Sequence, residues 1–290
     1  MVDAAVLNNI LSFGPVFLLL AVRAFAMIQT APLISSEAIP MVAKFALAGF
    51  AAFAVIPSAQ VYFAGNAPGF ITLPGGEASN LRYEPFTLRF GLLVIGEAII
   101  GIIIGFYMTI IFAAFSTAGQ FFSLQMGFGA SETFDPIGQI ENPLMGQYLN
   151  LVSMLIFLTI GGFTHLFLGG FWRSVQTINI VSLVNGKDTV VSMMTSGLSK
   201  LFLDAMVISL PILGTLFLTS LTTGLISKAA PQINILSEGF PISIMVAFIL
   251  IHASLPFMTE TFAHMIKSGF GNLESLYSQI GRQITGGGGL

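Results

Sequence analysis

Five ionisable residues sit inside long apolar runs: Arg23, Glu97, His165, Asp204 and His252. An acid or base at the centre of a membrane span costs about 2.5 to 3.5 kcal/mol on insertion scales, so such groups often mark ion pathways. Glu97 and Asp204 are therefore candidates for a proton relay. A simpler reading is open for both. Each lies near the start of its run, Glu97 eight residues after Arg89 and Asp204 four after Lys200, where it reaches the interface or pairs along its own helix. His165 and His252 have no Asp, Glu or His at helical ligand spacing, which fits interhelical hydrogen bonding better than a metal site.

No constellation for catalysis accompanies these groups. A rhomboid-type serine site needs a Gly-x-Ser-Gly turn, whereas Gly129-Ala130-Ser131 runs into Glu132, and Asp204 lacks the glycine context of an intramembrane aspartyl site. There is no P-loop, zinc motif or nucleophile elbow. The absence of cysteine removes disulfides, thiolate metal sites and Cys nucleophiles. Neither an enzymatic activity nor a cofactor is expected.

The stretch from Gly119 to Pro136 is a different kind of feature. It carries Phe121, Phe122, Met126, Phe128 and Phe134 among Gly119, Gly127 and Gly129, and no Lys or Arg occurs between Arg89 and Arg173. Connections that face water are polar, so something other than bulk water surrounds this one. One reading is the apolar face of a helix end. A flexible apolar segment is the better reading, because each glycine costs a helix about 1 kcal/mol relative to Ala. Flexible Met and Phe side chains suit a seal in a conduit that dewets when shut.

The elements that position these residues follow from composition. Of 290 residues, 55% are hydrophobic and 8% charged, and the mean hydropathy is +0.91. Soluble domains carry about 25% charged residues, so this is an integral membrane protein. Long apolar runs satisfy their own backbone in lipid as helices, and the short alternating strands of a barrel are absent, which makes the fold class all-α. The net charge of −3 and the scattered basic residues give no footprint for nucleic acid.

Six apolar runs approach the roughly 20 residues that span a bilayer core: 10–28, 45–64, 90–115, 144–168, 201–226 and 240–257. Pro57, Pro211 and Pro256 interrupt them, so some segments pack better against protein than against lipid. With six spans, one side holds seven basic residues and the other two, which puts both termini in the cytoplasm. Asp3 and the lack of a basic start argue against a cleaved signal. Gly101 and Gly105 form a small-xxx-small pair, with Gly91 and Gly96 on the same helix. That pattern admits a close helix contact, although it also arises readily by chance in a glycine-rich chain. Residues 1–280 read as one membrane-embedded domain and 281–290 as a flexible Gly-rich tail.

Four ordered blocks resemble the FliR family of flagellar export-apparatus proteins, whose virulence-associated relatives belong to type III secretion systems. They are Ala31-Pro32 through Ile39-Pro40; Gly119 to Pro136, with Leu124-Gln125-Met126-Gly127-Phe128 and Phe134-Asp135-Pro136; Pro143-Leu144-Met145-Gly146-Gln147-Tyr148-Leu149-Asn150; and Ala230-Pro231-Gln232-Ile233-Asn234 leading to Gly239-Phe240-Pro241. The resemblance implies a non-enzymatic subunit of an export gate in the bacterial inner membrane, at the flagellar basal body. Its helical hairpins would assemble with FliP and FliQ, with FlhB and FlhA nearby, around a pore for unfolded flagellar proteins. It further implies that Phe121, Phe122, Met126 and Phe128 close the pore, that Gly127 and Gly129 give the loop its freedom, and that Asp135-Pro136 terminates it. An injectisome gate subunit is the alternative within the family, and a small-solute or ion transporter the alternative from another class. The family often has a basic residue two positions after Gly239-Phe240-Pro241, where this chain has Ser243.

Overall fold

The computed structural model describes residues 4–36, 39–65, 88–127, 144–230 and 235–286. Every regular element among them is a helix: α1 (Ala4–Thr30), α2 (Met41–Gly65), α3 (Leu88–Met126), α4 (Leu144–Thr159), α5 (Gly162–Thr177), α6 (Ile180–Asn185), α7 (Lys187–Ala229) and α8 (Ile235–Gly286). The all-α membrane class expected from composition is therefore the class observed.

Segment lengths are less uniform than the hydropathy runs imply. Among the described residues, Phe90–Met126, Lys187–Ala229 and Pro241–Ile280 are long and apolar enough to cross a membrane, and α4 with α5 adds a fourth span if the broken pair counts as one. Gly14–Thr30 and Met41–Pro57 are apolar but shorter. The expected continuous run over 144–168 is interrupted because Gly161 takes φ +71°, a left-handed conformation that ends a helix cheaply only at glycine. Pro57, Pro211, Pro241 and Pro256 stay inside helices. Helix α8 continues to Gly286, and residues 287–290 lie outside the described set.

Contacts gather the chain into two compact units. The first draws on Met1–Thr109, Gly162–Ser196 and Ser268–Leu290. In it α1 and α2 form an antiparallel hairpin, with Phe25 stacked on Phe45 at 4.2 Å between ring centroids and nearly parallel. Lys44 is buried at the hairpin turn, where its Nζ donates to the carbonyl of Ser35 at 2.9 Å. An ammonium placed there satisfies a carbonyl of the turn that follows α1.

The second unit draws on Ile110–Gly161 and Gly197–Lys267. Its core is aromatic: Phe112 meets Phe157 edge-on at 5.3 Å, and Phe262 packs edge-on against Phe112 at 5.4 Å and against Phe115 at 4.2 Å. Edge-to-face pairs of this kind place the positive ring edge on the negative face of a neighbour. Along α7, Ala205, Ile208, Ile212 and Leu216 are buried while Phe202, Leu203, Leu210 and Phe217 are exposed. The helix thus buries one stripe and presents a second apolar face outward.

Candidate functional site

In the first unit, glycine spacing brings the intramembrane charges together. A Cβ on Gly101 would collide with the carbonyl oxygen of Arg23, and one on Gly105 would collide with Thr30 Oγ1 and lie 2.6 Å from the carbonyl oxygen of Met27. Helix α1 therefore rests directly on the backbone of α3 at the small-xxx-small pair. One helical turn earlier on α3, Glu97 accepts a hydrogen bond from Arg23 Nε at 2.5 Å. Arg23 is fully buried and Glu97 almost so.

The rest of the guanidinium is satisfied by α5 and its end. Arg23 Nη1 donates to Ser174 Oγ at 3.3 Å and Nη2 to the carbonyl of Ile178 at 3.0 Å. That carbonyl is available because Ile178 is extended (φ −119°, ψ 126°) between α5 and α6. Asn179 then starts α6 through a capping box, its side chain accepting from Ser182 N at 2.7 Å while Ser182 Oγ accepts from Asn179 N at 2.9 Å. Nearby, α5 contains a π-helical stretch, His165–Trp172, and Tyr277 Oη of α8 donates to its Gly170 carbonyl at 3.0 Å. Glu97 is thus buried against a long-range partner rather than reaching the interface, because buried charges persist only when paired and hydrogen-bonded.

The other ionisable groups stand apart. Asp204 is half-buried on α7, with Lys200 and His264 as its neighbours. His165 and His252 are exposed, and the His165 ring lies 5.4 Å from that of Phe270. No group of three or more His, Asp or Glu arranged to hold a metal occurs among the described residues.

In the second unit the Gly119 to Met126 stretch is helical, which corrects its reading as a flexible segment. Helix α3 runs through it because Gly119 is a contact glycine: a Cβ there would lie 2.6 Å from the carbonyl oxygen of Met145 and 2.7 Å from Gly146 Cα on α4. Tertiary packing offsets the low helix propensity of that glycine. Phe122 and Met126 are fully buried, and Phe121 is half-buried. Leu124 and Gln125 face outward, with Gln125 Nε2 3.5 Å from Ser220 Oγ. The helix ends at Gly127, which has φ +91° and donates its N–H to the carbonyl of Leu124 at 3.2 Å. Phe128, Gly129, Asp135 and Pro136 lie outside the described residues.

With every regular element among the described residues helical, membrane-length apolar helices and a buried charge pair hydrogen-bonded within the chain, the protein belongs to the class of integral membrane proteins. Residues 15–269 match the family model of bacterial export proteins, family 1. The flagellar biosynthetic protein FliR of Escherichia coli (strain K12) is 29% identical over 259 residues, which cover 89% of this chain and 91% of the relative. FliR of Borreliella burgdorferi is 31% identical over 198 residues, 68% and 74% of the two chains. The surface presentation of antigens protein SpaR of Shigella sonnei is 27% identical over 160 residues, 55% and 60%. The chain belongs to the bacterial export proteins, family 1, and within it to the FliR family.

Proposed function

We propose that this protein is a non-enzymatic subunit of the core export gate of a flagellar type III secretion system, set in the bacterial inner membrane at the flagellar basal body. In this reading it assembles with FliP and FliQ, next to FlhA and FlhB, around a pore for unfolded flagellar proteins, and other components supply the energy. The observation that carries the reading is the likeness to FliR relatives over about nine-tenths of both chains. Helix length supports it. The 43 residues of α7 and the 52 of α8 extend for about 65 and 78 Å at 1.5 Å per residue, against a hydrocarbon core of about 30 Å. Apolar faces of that length call for protein neighbours as well as lipid.

The apolar stretch after Gly119 supplies the seal in this reading, with Gly127 as the point where helix gives way to loop. Phe121 and Phe128 are the groups proposed to close the pore. Phe122 and Met126, buried in their own unit, hold the base of the loop in place.

The test deletes the gene in its host, complements it with tagged protein, and measures swimming, export of flagellar proteins and co-purification with FliP and FliQ. Lost export restored by complementation, with both partners recovered, supports the reading. A stable monomer that transports a solute overturns it. The likeness to SpaR favours one second reading, an injectisome gate subunit. Intact motility with loss of needle-complex secretion would select it.

A further inference from the structure

Within the first unit an open groove of about 550 Å³ runs between the start of α7 and the end of α8. Gly186, just before α7, lies against Ile280, so α7 leaves the point that α8 approaches and the two helices run antiparallel along the groove. Asp188, Ser192 and Ser196 recur once per helical turn on one rim, and Asn272, Ser275 and Gln279 form the other. These rim residues are exposed. Between them Leu276 is buried and Met193 half-buried, which gives the groove an apolar floor.

The rims present hydrogen-bond acceptors. Ser196 Oγ donates to the carbonyl of Met193 at 3.0 Å and Ser275 Oγ to that of Asn272 at 2.7 Å, which commits each hydroxyl proton to its own helix and leaves the lone pairs for an occupant. Asn272 Nδ2 donates to Oη of the buried Tyr107 at 3.2 Å, and Asp188 adds a carboxylate. A hydrocarbon chain or an apolar helix in the groove would strip water from these oxygens and return no hydrogen bonds. An extended polypeptide brings one N–H per residue, with side chains alternating between the floor and the opening. The eight helical steps from Asp188 to Ser196 rise about 12 Å, the length of about four extended residues. Methionine in the floor adapts to side chains of varied shape.

We propose that the α7–α8 groove receives an extended segment of the exported polypeptide, whose backbone N–H groups meet the rim oxygens while its side chains pass over Met193 and Leu276. The inference rests on the export reading and adds to it a contact surface for the moving chain, separate from the sealing stretch. Hydroxyl, amide and carboxylate oxygens pair with the backbone of any sequence. Contacts over about four residues are few enough for the chain to leave as readily as it enters.

The chain contains no cysteine, so a single introduced cysteine reports its own position. The full-length protein is expressed in its host with Ser192→Cys or Ser275→Cys, one on each rim, and with Val191→Cys as the control, which is 62% exposed and lies outside the groove lining. The probe is a flagellar export substrate stalled by a tightly folded C-terminal fusion, with single cysteines at successive positions of its unfolded part. Oxidative cross-linking should join both rim cysteines to several neighbouring substrate positions, and Val191→Cys to none. Met193→Trp, which fills the floor, should abolish the adduct of Ser192→Cys while the gate still assembles. Equal adducts from the rims and from Val191→Cys mark random collision and overturn the site. Rim cysteines that join a neighbouring gate subunit instead of the substrate overturn it too, because protein then covers the groove. No rim adduct with export intact overturns the groove alone, whereas a host in which the unaltered protein supports no flagellar export overturns the export reading itself.

Discussion

Arg23 of α1 and Glu97 of α3 form a buried ion pair between two helices that touch through Gly101 and Gly105. Each charge depends on the other. Removing one partner from a buried pair costs about 3 to 5 kcal/mol, whereas replacing both with apolar groups is often neutral. Glu97→Ala and Arg23→Ala should therefore each lower the unfolding temperature and the yield of solubilised protein sharply. Arg23→Met with Glu97→Leu should recover most of the loss. Thermal unfolding in detergent checks this. The double variant also separates packing from chemistry: export lost despite recovered stability would give the charges a part in function, such as a proton relay through Glu97.

The close approach of α1 to α3 predicts a graded glycine series. Gly105→Ala brings a methyl against the carbonyl oxygen of Met27 as well as the mobile Thr30 hydroxyl, so α1 has to shift. Overpacking of this kind costs about 1 to 3 kcal/mol. Gly91 and Gly214 lie in helices where an added methyl would meet nothing within 4 Å. Their Ala variants should be neutral or more stable by up to about 1 kcal/mol, the helix-propensity difference. Equal melting temperatures for Gly105→Ala and Gly91→Ala would refute the close-contact account.

Gly127 predicts a different pattern, because its constraint is backbone conformation. At φ +91° an L side chain is strained, and a left-handed residue other than glycine costs about 1 to 2 kcal/mol, with Asn the best tolerated. Gly127→Val should impair stability and export more than Gly127→Asn. Proteolysis after residue 127 and export assays on the pair measure this. Identical behaviour of the two variants would remove the conformational role.

Much of the fold was legible because membrane burial leaves a strong compositional trace. Apolar length located α3, α7 and α8, and spacing alone marked the Gly101 and Gly105 edge. What failed was any inference that needed to know the neighbour. Gly119 reads as a helix breaker until Gly146 is seen against it, and Gly161 reads as one more small residue in a run until its φ of +71° ends α4. Glycine has the same sequence signature in both roles, since what is absent is a side chain. Arg23 and Glu97 could have been paired from sequence by one signal: Arg23 is the sole charge in α1 and Glu97 the sole acid in α3. Opposite charges buried in two apolar helices are costly apart.

The same dependence on neighbours divides the phenylalanines of the proposed seal. Phe122 and Met126 are fully buried beside a core that includes Phe115 and Met145, so truncation to Ala leaves a cavity. Such changes cost about 3 to 5 kcal/mol for Phe and about 2 to 5 for Met. Their variants should lose protein and assembly together, with leakage no greater than the loss of complex explains. Phe121 is half-buried, and Phe121→Ala should keep the complex while raising ion leakage through it, more so when combined with Phe128→Ala. Complex abundance by blotting and membrane leakage by ion flux are measured in the same cells. Leakage from Phe122→Ala with normal complex levels would return that ring to the seal. An intact, tight complex in the Phe121 and Phe128 double variant would remove the seal from this segment, because no water-excluding group would then have been needed there.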